Sequence, residues 1–176
     1  MKILIKILTG LAILVALLVV IAFFLPRQYR IERSIVFESA PPERILAPCA
    51  DLSAWRGWAI WHQRDPQLKV TYSNPPSGVG SWSAWESKKE GNGKMTITSQ
   101  TARRIVYALE FPDFNFKSTG VMEVIPEGTK FRLVWSDEGD LGLNPLNRWF
   151  GLVLDGAIGK DFESGLQNLR RLVEPK

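Results

Sequence analysis

The chain has 176 residues, with 22 Lys+Arg, 18 Asp+Glu, one His, one Cys and a formal net charge of +4. A single Cys excludes an intramolecular disulfide framework, and a single His excludes a multi-histidine metal centre. At 45% hydrophobic and 23% charged, the composition is that of a folded chain, not a disordered one.

The sequence pI of about 9.3 raises nucleic acid as a partner, so the position of the charge matters. Residues 1–33 carry Lys2, Lys6, Arg27, Arg30 and Arg33 against Glu32 alone. That accounts for the whole excess, and residues 34–176 are formally neutral. No basic stripe remains, so no nucleic-acid partner is expected. Between the basic clusters, Ile7 to Leu25 is interrupted only by Thr9 and Gly10. Nineteen helical residues span roughly 29 Å, close to the hydrocarbon core of a bilayer, and Pro26 stops the helix. The run exceeds the h-region of a signal peptide, and the bulky Phe23-Phe24-Leu25 that ends it offers no cleavage site. The reading is a transmembrane anchor over residues 1–26, contacting lipid through 7–25, and one domain over 27–176. Basic residues flank both ends of the run, so the positive-inside rule is nearly balanced. A short basic N-tail left in the cytoplasm is the simpler insertion, which puts the domain on the extracytoplasmic side.

Tyr29–Glu38 is rich in β-formers and reads as a first strand. Pro41-Pro42-Glu43 opens a short helix with Ile45, Leu46 and Cys49 on its apolar face, and Asp51–Trp55 begins a second. Turn signals at Asn74–Gly78, Gly91–Gly93, Pro112-Asp113 and Pro126–Gly128 then separate runs of period-2 alternation. Ile105, Tyr107, Leu109 and Phe111 share one face, as do Met95 and Ile97, and Phe131, Leu133 and Trp135. Phe150, Val153, Leu154, Ala157, Ile158, Phe162, Leu166, Leu169 and Val173 recur at helical spacing, which predicts a long terminal helix. The fold class is α+β: a transmembrane helix, then a curved antiparallel sheet of about seven strands wrapped on that helix, with two short helices after the first strand.

This layout resembles the START-like, helix-grip superfamily, which includes polyketide cyclases and lipid-transfer proteins. The resemblance rests on Arg33-Ser34-Ile35 with Ala40–Glu43, on Asp51–Trp55, on Gly78–Ser81 leading to Trp85, and on Asp161–Leu169. It implies a hydrophobic cavity between sheet and terminal helix, and no universal catalytic set to carry over. The inward-facing sets supply the expected lining: Tyr107, Phe111, Phe131, Trp135, Phe150, Ile158 and Phe162. Gly120, Ala157 and Gly165 oppose them, leaving room or permitting close packing. The same aromatics could equally fill the core.

His62 is followed by a polar stretch and reads as a surface or cavity-mouth residue. Cys49 reads as a buried structural thiol. Asp155, Asp161 and Glu163 read as a solvated or strand-bonded helix face. Trp55, Trp58 and Trp61 recur every third residue, so their rings spread around a helix, and one or two could plug the cavity end. Leu141, Leu143, Leu146, Trp149 and Phe150, interspersed with Gly139, Gly142 and Pro145, read as either a packed loop or a gate. Tyr107 or Ser83 could orient a bound molecule. No cofactor, metal or catalytic residue is expected. The expected partner besides the bilayer is an apolar small molecule or lipid. The competing functions are a cyclase- or dehydratase-like enzyme and an interaction module with a filled core.

Overall fold

The computed structural model describes residues 1–174. The apolar N-terminal run forms helix α1 (Lys2–Ala22), long and apolar enough to cross a membrane. The domain then runs β1 (Gln28–Phe37), α2 (Pro42–Ala50), α3 (Trp55–Trp58), α4 (Ile60–Arg64), β2 (Lys69–Tyr72), β3 (Trp82–Glu86), β4 (Gly93–Gln100), β5 (Arg104–Phe111), β6 (Phe116–Glu127), β7 (Lys130–Asp140) and α5 (Pro145–Val173). Three short helices follow β1 where the sequence predicts two, because extended backbone at Ala59 (ψ 131°) breaks the Trp-rich segment.

Short turns fold β2 to β7 into a meander, as Gly128 shows with a φ of 62° between β6 and β7. The order is β1-β7-β6-β5-β4-β3-β2, every pair antiparallel, so β1 returns to the far edge. An irregular register between Ile97 and Ser99 on β4 adds local bend.

The inner face carries a repeated device. Three glycines lie beneath aromatic rings from neighbouring strands. A Cβ on Gly93 would sit 2.2 Å from the Trp85 ring, one on Gly120 2.0 Å from the Tyr107 ring, and one on Gly139 2.8 Å from the Tyr29 ring. The rings therefore lie flat across the sheet.

Helix α5 covers this face. Asn144 caps it by accepting from the Leu146 amide at 3.0 Å, and Pro145 occupies its first turn. The helix begins earlier than the periodicity implies, so Leu146, Trp149 and Phe150 belong to its first turns, not to a loop. Leu154, Phe162, Leu166, Leu169 and Val173 form its buried stripe. Arg33 on β1 reaches over to α5, bonding Asp155 at 2.9 Å and Glu163 at 2.6 Å. Asp155 and Glu163 thus tie helix to sheet.

Helix α1 is held against the same helix. Arg148, 7% exposed, donates from Nη1 to the carbonyl of Phe23 at 3.0 Å and those of Ala22 and Leu25 at 3.4 Å. It supplies donors and positive charge to the carbonyls at and just beyond the C-terminal end of α1. Trp149 Nε1 donates to the Leu18 carbonyl at 3.1 Å.

Two glycines separate close approach from mere flexibility. Gly120→Ala is expected to cost about 2–3 kcal/mol by forcing the Tyr107 ring away. Gly156→Ala, in open space on exposed α5, is expected to stabilise by about 0.5–1 kcal/mol. Denaturant unfolding of the detergent-solubilised chain measures both.

Candidate functional site

One cross-strand row runs through all seven strands. Tyr72 pairs with Ser83, Ser83 with Met95, Met95 with Leu109, Leu109 with Ser118, Ser118 with Gly139 and Gly139 with Tyr29. Above it lies a cavity of ≈480 Å³, closed by Trp61, Phe150, Ile158 and Phe162 from the helices and by Trp85, Phe111 and Phe116 from the strand ends. That size is within the ~300–1,000 Å³ typical of small-molecule sites. A wider depression of ≈790 Å³ shares the wall of Trp85, Phe111 and Phe116. Lys69, Glu86, Lys94, Glu110 and Lys117 ring it with charge and it is the more open of the two, so the deeper, more apolar cavity is the candidate site.

The mouth is strapped by ion pairs. Arg64 on α4 bonds Glu90 at 2.6 Å and Asp161 on α5 at 2.9 Å, and Trp61 Nε1 donates to Asp161 at 3.1 Å. Asp161 therefore holds α4 against α5 and is not simply solvated.

Polar groups punctuate the apolar wall. Asp137 on β7 is 5% exposed. It accepts from Tyr29 Oη at 2.6 Å and from Ser118 Oγ at 3.0 Å. Burial pushes its carboxyl up to about 6, and these two hydrogen bonds only partly offset that. Tyr107 Oη accepts from Trp135 Nε1 at 2.7 Å. His62 lies in the last turn of α4 and borders the cavity, and no hydrogen bond reaches either ring nitrogen from the described residues. Desolvation, then the nearby Arg56 charge, lowers its pKa, so the imidazole is neutral. Cys49 is fully enclosed, its thiol pushed up by burial, in the structural role expected of it.

A model of the family described as polyketide cyclase / dehydrase and lipid transport matches residues 28–174. The chain belongs to that family. No curated protein matches the sequence significantly. Solved structures share the fold of this polyketide cyclase/dehydrase and lipid transport domain. A Thermobifida fusca protein has TM-score 0.60 at 22% identity, over 82% of this chain and 92% of its own. A hypothetical protein from Helicobacter pylori has TM-score 0.64 at 7% identity, over 83% and 88%. A Thalictrum norcoclaurine synthase point mutant, solved with a transition-state analogue, has TM-score 0.60 at 14% identity, over 83% and 94%.

Within this family domain, five of the seven residues expected to line a cavity do border it: Tyr107, Phe111, Phe150, Ile158 and Phe162. Trp135 and Phe131 do not. Trp135 has no exposed surface and stacks on Phe162 at 3.9 Å, with Trp55, Trp58 and Trp61 packed against it at 5.4–6.0 Å. Phe131 lies farther along β7, paired with Phe37 and Pro126. Alternation assigns the correct face to both, but it does not say which rows the helices fill. Of the Trp triplet, Trp55 and Trp58 are core and only Trp61 plugs the mouth. Asp137 and Tyr29 are the site residues that sequence reading missed. Asp137 stands in Ser136-Asp137-Glu138, a polar run in which alternation carries no signal.

Asp137 makes a pH prediction. The folded chain keeps this proton up to about pH 6, whereas an ordinary Asp loses it near 3.8. The stability of the protonated form is complete below about pH 4 and is lost as pH rises through 6. Asp137→Asn is expected to unfold at higher temperature than wild type at pH 7.5, by the equivalent of about 1–3 kcal/mol, and to lose that advantage at pH 4. Thermal unfolding of both chains across this range reads the difference, in which the other carboxylates cancel.

Proposed function

We propose that this protein is a membrane-anchored domain that binds an apolar small molecule or lipid between its sheet and α5. The observation that carries this reading is the largely apolar cavity above a continuous cross-strand row. Burial of ligand hydrocarbon there is worth ~25 cal/mol per Å². The same cavity speaks against an interaction module with a filled core.

Placement beside a bilayer is supported by the surface around the mouth. Leu143, Leu146, Phe150 and Val153 are 68%, 76%, 60% and 56% exposed. Leu146, Phe150 and Val153 follow one another along one side of α5. From Leu141 to Leu154 the only charged residue is Arg148, and it is turned onto the end of α1. Phe150 belongs both to this ridge and to the cavity wall, so the ridge and the mouth are continuous. A contiguous exposed apolar surface next to an apolar spanning helix suits the interfacial zone of a membrane. On this reading Arg27, directly after α1, lies at headgroup level, whereas Arg33 is turned onto α5.

An enzyme of the cyclase or dehydratase kind is a second reading. It is favoured by one observation, the Asp137 carboxyl, raised by burial to about 6 and bonded to Tyr29 on the wall of a largely apolar cavity.

Native mass spectrometry of the full chain, purified gently from membranes, is expected to show a bound apolar compound. Leu109→Trp, which places a large ring at the centre of the row, is expected to lose that mass while remaining folded. Repeated absence of any compound, with no thermal shift across a lipid panel, refutes the binding reading. A C-terminal reporter fusion is expected to be active outside the cytoplasm, and activity only in the cytoplasm reverses the orientation.

A further inference from the structure

The cavity is chemically lopsided. Trp61, Phe150 and Ile158 wall its mouth together with Arg64, Glu90 and Asp161, whose charges are paired with one another, whereas Asp137, Tyr29, Ser118 and Tyr107 form a separate polar group on the sheet side of the cavity. Asp137 presents a carboxylate with room for about four hydrogen-bond donors. Among the described residues only Tyr29 and Ser118 donate to it, and it takes part in no ion pair. A desolvated carboxylate without a cation gains from every further donor. Tyr107 supplies the complement. Its ring lies over Gly120, with the hydroxyl 2.3 Å from where a Cβ would stand, and Gly120 is the direct cross-strand partner of Asp137. The Tyr107 oxygen accepts from Trp135, and its own proton has no acceptor among the described residues.

We infer that the cavity selects an apolar molecule carrying a hydroxyl group, bound hydroxyl-inward, which donates to Asp137 and accepts from Tyr107. This rests on the ligand-binding reading above and names the head group that such a ligand carries. A carboxylate head is disfavoured because it meets a like charge at Asp137 and has no proton to donate. A protonated amine donates to Asp137 but cannot accept from Tyr107. A hydroxyl satisfies both groups, and losing one hydrogen bond to a charged group is a change of about tenfold or more in affinity.

The test loads the full chain in detergent with an equimolar mixture of 1-dodecanol and its methyl ether, and counts both complexes by native mass spectrometry. The ether carries a methyl group where the alcohol has the hydrogen that donates to Asp137. Partition into micelles cancels when variants are compared under identical conditions. The alcohol-to-ether ratio is expected to fall about tenfold in Asp137→Asn, whose amide serves either oxygen. It is expected to persist in Tyr29→Phe, which breaks the tie from β1 but keeps the carboxylate. A merely structural role for Asp137 moves both variants alike and leaves the ratio unchanged. If both probes bind and the ratio is the same in wild type and Asp137→Asn, the hydroxyl assignment is overturned while the carrier reading stands. If wild type binds neither probe, the carrier reading fails and takes this inference with it.

Discussion

The cavity depends on aromatic rings that lie flat over glycines. Trp85, Tyr107 and Tyr29 each cross a neighbouring strand at Gly93, Gly120 and Gly139, at distances no Cβ would tolerate. Were those positions filled, the rings would stand up from the sheet and occupy the space beneath α5. Close packing is the ordinary state of a protein interior, so an open volume needs a device that holds large side chains aside. Here the device is the absence of three side chains. It also delivers the Tyr29 and Tyr107 hydroxyls to the sheet side of the cavity, where Asp137 is buried.

The remainder of the inner face is closed by the opposite strategy. Trp55, Trp58, Trp61 and Phe162 converge on Trp135, which has no exposed surface. This cluster is the firm floor on which α5 rests. Charged ties add direction more than energy. Arg33 reaches Asp155 and Glu163, both carboxylates largely exposed, and such pairs contribute little against water and salt. Their value is in fixing where along the sheet the helix sits, and therefore which rows it fills and which it leaves open.

Arg148 couples this domain to α1. A buried guanidinium is costly unless its donors are used, and here they meet carbonyls at and just beyond the end of α1 and that of Gly142. The first turns of α5 are consequently held beside the apolar helix. The exposed leucines and phenylalanine of those turns, together with the cavity mouth, lie beside α1.

The sequence by itself determined the elements and their faces. The apolar run, the Pro and Gly turns, the period-2 strands and the helical stripe from Phe150 to Val173 are local patterns, and local patterns survive in one dimension. The order of these pieces was enough for the helix-grip layout. It also placed Cys49 in the core and most inward aromatics on the inner face. What only the tertiary structure decided is depth along the sheet. Trp135 and Tyr107 have the same alternation signature, yet one is core and the other borders a cavity, because the register across seven strands and the seat of α5 set which row is covered. Asp137 was hidden for the same reason. Alternation is written in apolar residues, and a carboxylate on the inner face is indistinguishable from one on the outer face until Tyr29, more than a hundred residues away, arrives to bond it.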